Sequence, residues 1–191
     1  MKKNIIIAGV GGQGILTMAA IIDLAAMNLG LHVKQAEVHG MSQRGGAVES
    51  HLRISSEEIF SDLIPHGKAD IILSLEPMEA LRYLSFLSSE GVIVTAKEPY
   101  KNIPNYPDET ELLKTIEKTA THVLVDAALL ARQAGSPKTY NIVMLGAAAP
   151  YLDIDPWELE QAITQYFSPK GESIVNMNLN AFRLGLSNNS N

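Results

Sequence analysis

Residues 37–54 hold two histidines, two arginines, three glycines and several small polar side chains. No other stretch of the chain is so dense in groups that bind anions or move protons. Within it, Gly40-Met41-Ser42-Gln43-Arg44-Gly45-Gly46 carries too many glycines for a helix interior and too much polarity for a core strand. It reads as a shaped loop. Arg44 offers a planar fork for a carboxylate or phosphate, Ser42 and Gln43 add neutral donors, and Gly45-Gly46 lets backbone N–H groups turn toward a ligand. Met41 lies inside the same loop, and His39 at its entrance is either a structural hydrogen-bonder or a proton carrier, a choice that geometry decides.

A second anion-binding candidate is Gly9-Val10-Gly11-Gly12-Gln13-Gly14. Gly9, Gly11 and Gly14 fit G-x-G-x-x-G between a β-branched run and an apolar helix, the context in which such a turn cradles phosphate. Glycine permits positive φ and close approach, and the following helix presents unpaired N–H groups. A dinucleotide site also needs an acid at the end of the second strand, where Glu37 is the candidate. The other reading is that the glycines only let the first helix pack closely on the sheet. Gln13 fits both, since its amide can donate to a bound anion or anchor a neighbouring loop.

Other chemistries find less support. His39 and His51 flank Glu49, which suggests metal, but Glu49, His51 and Arg53 alternate along one strand face, expected to be solvated or interfacial. No metal site is expected, and no serine–histidine–acid set is recognisable. A net charge of -6 without a basic run argues against nucleic acid. The sequence has no cysteine, which excludes disulfides, thiolate-bound zinc and conventional cysteine-ligated iron–sulfur clusters. Any such redox centre must sit elsewhere. The N-terminal apolar run breaks at Gly9, well short of a membrane span, and no cleavage site follows, so the expected location is cytoplasmic.

The elements that must position these loops follow from periodicity. Ile5–Ala8, residues 69–75 and 91–96, and Val123–Val125 read as buried strands, residues 31–38 as a second strand, and residues 47–54 as an antiparallel or edge strand. Helices are expected over residues 14–28, from Pro77 through Leu87, 108–119, 127–134, 140–152, 156–167 and 172–186. Gly30 should close the first, and Asp126 should cap the helix from Ala127. The first is apolar nearly all round and must be covered on more than one side. Strands alternating with helices give an α/β fold, a three-layer α/β/α sandwich, Rossmann-like, with a mostly parallel mixed sheet. At 191 residues a single domain over 1–186 is expected, with 187–191 as a disordered tail. Charged residues make up only 19%, which leaves little polar cover and points to a partner.

Taken together, the Gly9–Gly14 turn and the run from Glu37 to Gly46 resemble the gamma-type domain of 2-oxoacid:ferredoxin oxidoreductases, most of all the small subunit of the indolepyruvate type. The similarity continues through Leu63-Ile64-Pro65, Glu76-Pro77-Met78-Glu79, Asp126-Ala127, Asn141 to Gly146 and Asn180-Ala181-Phe182, so it covers nearly the whole chain. The resemblance implies oxidative decarboxylation of a 2-oxoacid, an aryl pyruvate for this type, to acyl-CoA and CO2 with reduction of ferredoxin. It further implies that thiamine diphosphate and iron–sulfur clusters are carried by a large (alpha) partner subunit, and that this chain is inactive alone. Coenzyme A is then a co-substrate. Gly9, Gly11, Gly12, Gln13 and Gly14 become cofactor-binding candidates, and His39, Met41, Ser42, Gln43, Arg44, Gly45 and Gly46 candidates for contact with substrate, coenzyme A or the large subunit. A homodimer is a further possibility for the isolated chain. Two rival readings stay open: a self-contained NAD(P)- or flavin-binding protein, and a noncatalytic assembly subunit.

Overall fold

The computed structural model describes residues 1–39, 45–101 and 103–188, with the side chain of His39 left out. Six strands form one sheet: β1 (Lys2–Val10), β2 (His32–His39), β3 (Ala47–Ser55), β4 (Ala69–Ser74), β5 (Leu87–Ala96) and β6 (Thr121–Val125), in the order β2-β3-β1-β4-β5-β6. β1, β4, β5 and β6 run parallel, while β3 is antiparallel to both β1 and β2. The sheet is mixed and mostly parallel, as expected. Its two faces are covered unequally.

Alternate residues of the buried strands point to opposite faces, so Ile5, Ile7, Leu73 and Val94 enter one core while Ile6, Ala8, Ile72 and Ile93 enter the other. The first core is closed by α1 (Ile15–Asn28), α4 (Ala127–Gln133), α5 (Tyr140–Ala148), α6 (Pro156–Phe167) and α7 (Glu172–Ser187). The second is smaller and lies under α2 (Pro77–Arg82) and α3 (Glu109–Thr119). α5 is buried from Asn141 to Ala148 and packs on α7, so the small-residue run Gly146–Ala149 is buried within this chain.

α1 ends as expected. Gly30 has φ 72°, its N–H donates to the Met27 carbonyl at 2.9 Å, and the Leu31 N–H returns to Ala26 at 3.0 Å, a left-handed glycine stop. The helix is not covered on all sides, however: Leu16 and Met27 remain 52% and 64% exposed. Asp23 lies on the same side, and its Oδ1 is buried without a hydrogen-bond partner. Burial pushes this carboxyl up from 3.8 to about 7. Between those values the folded chain holds a proton that the unfolded chain has released, so stability falls as pH rises through that window. Asp23→Asn should therefore match the parent near pH 4 and exceed it at pH 8 by about 1 kcal/mol, discounted for partial exposure, in urea melts at the two pH values.

Three expectations need correction. The helix from Pro77 stops at Arg82, a short 3-10 turn follows, and Leu87 begins β5 instead of ending a helix. The reason lies in Gly91, where a Cβ would meet Leu87 Cδ1 at 2.5 Å: the bare glycine makes room for the Leu87 side chain on the strand. β3 is antiparallel, one of the two alternatives expected, but interior and not an edge, and its Glu49/His51/Arg53 face is not solvated. Arg53 donates to the carbonyls of Ser61 at 2.8 Å and Leu63 at 3.3 Å, folding the 56–66 connection back over His51, which is 3% exposed. His51 Nδ1 accepts the Ile64 N–H at 3.1 Å, which leaves Nε2 as the protonated nitrogen of the neutral ring, 3.6 Å from Glu49. Finally, Asp126 stands at the N-cap position just before α4, but its side chain makes no capping hydrogen bond. Glu98 caps the helix from the end of β5, accepting the Ala128 N–H at 2.8 Å. At the C-terminus α7 runs on to Ser187.

Candidate functional site

The parallel strands all deliver their C-terminal ends to one edge of the sheet, and the Gly9–Gly14 turn leaves the end of β1 there. In open α/β sheets this is the edge that binds ligands. Gly12 and Gly14 have φ 102° and 89°, so both need glycine, and Gly14 sits at the N-terminus of α1 with no side-chain cap on the helix. The first N–H groups of α1 are thus left for an external acceptor.

Gly9 and Gln13 also make contacts within the fold. A Cβ on Gly9 would meet Gln13 Oε1 at 2.8 Å and Leu75 Cβ at 3.2 Å, so this glycine permits close packing. Gln13 is the loop anchor: its Oε1 accepts the Val10 N–H at 2.7 Å and its Nε2 donates to the Leu75 carbonyl at 3.3 Å. Asn141 on α5 fixes the far side, donating from Nδ2 to the Gly14 carbonyl at 3.1 Å. Sequence spacing gave no sign of Asn141, which arrives from 127 residues away.

The dense loop joins this edge through its glycines. The Gly11 N–H donates to the Gly46 carbonyl at 2.9 Å, and the Gly45 N–H to the Gly11 carbonyl at 3.4 Å. The two candidate loops are therefore neighbours. His39 ends β2 opposite Val48, while Gly40, Met41, Ser42, Gln43 and Arg44 lie outside the described residues.

Two clefts flank the turn and share Gly12 and Gly14. One, of about 490 Å³, is lined by Gly11, Ile15, Leu16, Glu37 and Val48 in addition. The other, of about 940 Å³, brings Thr17, Glu98, Lys138, Tyr140, Asn141 and Lys170 together. Glu37 thus sits in one cavity with the glycine turn, as a ribose-binding acid would. In the larger cleft the single Tyr140 hydroxyl proton lies between two acceptors, Glu98 Oε2 at 3.2 Å and the Leu75 carbonyl at 3.3 Å. Burial pushes the Glu98 carboxyl up, opposed by the Ala128 N–H that it accepts, and burial beside Glu98 pushes the Tyr140 hydroxyl up as well.

Behind this edge Glu76 is fully buried and accepts from the Glu79 N–H at 2.9 Å, the Tyr100 N–H at 3.3 Å and the Tyr106 hydroxyl. Its carboxylate ties the proline-rich 99–107 connection to the end of β4. The arrangement binds and orients; among the described residues no group of three or more His, Asp or Glu could hold a metal ion. No described helix is long and apolar enough to cross a membrane.

Residues 4–188 match the pyruvate ferredoxin/flavodoxin oxidoreductase family. The chain belongs to that family. Among its relatives, indolepyruvate oxidoreductase subunit IorB of Thermococcus kodakarensis is 38% identical over 97% of this chain and 96% of its own. Two solved structures share the fold. The gamma subunit of a keto/oxoacid ferredoxin oxidoreductase from Geobacter sulfurreducens aligns with a TM-score of 0.72 at 24% identity, over 97% of both chains. The 2-oxoglutarate:ferredoxin oxidoreductase of Magnetococcus marinus, solved with 2-oxoglutarate, coenzyme A and succinyl-CoA, aligns with a TM-score of 0.79 at 23% identity. This chain covers only 31% of that longer polypeptide. The oxidoreductase family membership and the α/β architecture agree with what the two glycine motifs and the strand–helix alternation imply.

Proposed function

We propose that this chain is the small subunit of a cytoplasmic 2-oxoacid:ferredoxin oxidoreductase acting on aryl pyruvates such as indolepyruvate. The observation that carries this reading is the end-to-end similarity to indolepyruvate oxidoreductase subunit IorB. The large subunit supplies thiamine diphosphate, for the decarboxylation, and the iron–sulfur clusters that pass electrons to ferredoxin. A sequence without cysteine offers no thiolates for such clusters.

This chain contributes a binding edge. Its residues fit coenzyme A: the open N-terminus of α1 at Gly12 and Gly14 suits a pyrophosphate, and clefts on both sides leave room for the groups attached to it. The Arg44 loop, reached through Gly45 and Gly46, adds a cation for a phosphate or for the carboxylate of the oxoacid. With the complex assembled, Arg44→Ala should raise the Michaelis constant for coenzyme A or for the oxoacid about tenfold, as for loss of one charge-assisted contact. Unchanged constants with normal assembly would remove the loop from ligand binding.

One observation favours a second reading, a self-contained dinucleotide site. Glu37 lines the same cavity as Gly11, Gly12 and Gly14. On that reading NAD, NADP or a flavin raises the melting temperature of the isolated chain; no shift at saturating ligand rejects it.

A further inference from the structure

α1 carries a face that its own fold does not use. Leu16, Ala20, Asp23 and Met27 follow one another at helical spacing along one side, with Leu16 and Met27 exposed and Ala20 and Asp23 half-buried. An apolar stripe of this kind on a surface helix marks a contact. Its one charged group is incomplete as well: Asp23 Oδ1 is buried and accepts no hydrogen bond. A carboxyl group held partly out of water ionises at a cost, and a cation brought by a partner against its outward side would remove that cost.

We infer that this face of α1 docks on the large subunit, through an apolar patch that carries an arginine or lysine for Asp23. The inference rests on the reading above that a large subunit exists. Charge decides the occupant. A second copy of the chain would meet this face with the same face, as a two-fold contact requires, and α1 contains no Lys, Arg or His to offer. Beside it, the described side chains that β2 turns to the same side, Val33, Gln35 and Glu37, are not cationic either. Self-contact through α1 and these β2 positions would add a second carboxyl group and no cation. A longer chain is a suitable occupant, since the same fold forms only 31% of the Magnetococcus marinus polypeptide.

The stripe is continuous with the ligand edge. Leu16 belongs to it and also lines the 490 Å³ cleft with Glu37 and the glycine turn. Docking here therefore places the partner at the mouth of that cleft, and the partner becomes one of its walls.

The test is co-expression of the two subunits, with the dissociation constant of the complex measured for each variant and the melting temperature of each isolated small subunit as a control. Leu16→Glu and Met27→Glu, at exposed positions, should leave the isolated chain folded and weaken assembly at least about tenfold each. Asp23→Asn should weaken assembly about fivefold or more while raising the melting temperature of the isolated chain at pH 8, a pair of opposite signs that a merely structural role would not produce. Phe60→Ser, at an 86% exposed position on the 56–66 connection, should leave assembly unchanged. Wild-type assembly by all three α1 variants would overturn the inference and leave the proposed function standing. So would a dimeric isolated chain that Leu16→Glu converts to monomer with assembly unaltered, which would make a second copy the occupant. Failure of the wild-type subunits to associate would overturn both.

Discussion

Gly146→Ala is expected to lower the stability of the isolated chain by about 4 kcal/mol, beyond the usual cost of overpacking, because backbone and not side chain stands in the way. A Cβ at Gly146 would fall on the Phe182 carbonyl oxygen, with Phe182 C at 2.9 Å and the Leu186 N at 3.0 Å. Gly185 meets α5 in the same manner, its Cβ position falling on the Val143 carbonyl oxygen and 3.0 Å from the Ala147 N. The two helices therefore cross backbone to backbone through a pair of glycines. No rotamer change relieves such a contact, so α5 and α7 would have to separate and open the larger core. For a chain of this size the loss corresponds to a fall in melting temperature of roughly 10 °C, read by thermal unfolding of the isolated subunit. Gly185→Ala should behave alike. A fall of less than about 2 °C in either would mean that the helices do not cross at this distance.

The second large effect is on the ligand edge. Gly14→Ala combines a backbone at φ 89° with a Cβ only 2.6 Å from Asn141 Nδ2. Alanine is strained there by about 1 kcal/mol, and moving Asn141 away breaks its bond to the Gly14 carbonyl and frees the first turn of α1. The expected result is a folded subunit whose complex loses at least about tenfold in kcat/KM for coenzyme A, since a turn displaced by an ångström misplaces its donors. Gly12→Ala is the matched control. At φ 102° it carries backbone strain, but its Cβ would meet nothing within 4 Å. If Gly12→Ala impairs coenzyme A use without greater loss of stability than Gly14→Ala, the added methyl group is in the way of the ligand itself.

Much of this was legible in the sequence because the signals are local. Apolar β-branched runs gave β1, β4 and the second half of β5, the glycine turn lies between β1 and α1, and Gly30 closes α1 as a left-handed stop. Where expectation failed, a partner distant in the chain had decided. Alternation along β3 suggests a wet face, yet a connection that follows the strand turns back and buries His51. Asp126 has the position and chemistry of a helix cap, but Glu98 reaches the α4 N–H first. Leu87 continues the apolar spacing of a helix, but it pairs with Ala69 in the sheet and its side chain fills the space left by Gly91. The site divides in the same way. Residue types and spacing singled out the glycine turn and the Glu37–Gly46 run, and the Gly11–Gly46 hydrogen bond joins them. Sequence did not foresee the parts played by Asn141, Glu98 or Tyr140, which arrive from later elements, and of its two readings of Gln13 the bonds to Val10 and Leu75 match the anchor. Glu76 shows why: its buried carboxylate binds a connection more than twenty residues on, and no periodicity announces that.

On the function proposed above, this chain is one part of a two-chain oxidoreductase, with its ligand edge completed by the other part. The most direct measurement is ferredoxin reduction with indolepyruvate and coenzyme A, made on the isolated chain, on the isolated large subunit, and on the two together. Full coenzyme A-dependent turnover should appear only when both chains are present. Equal turnover by the large subunit alone, or indolepyruvate oxidation by this chain alone, would contradict it.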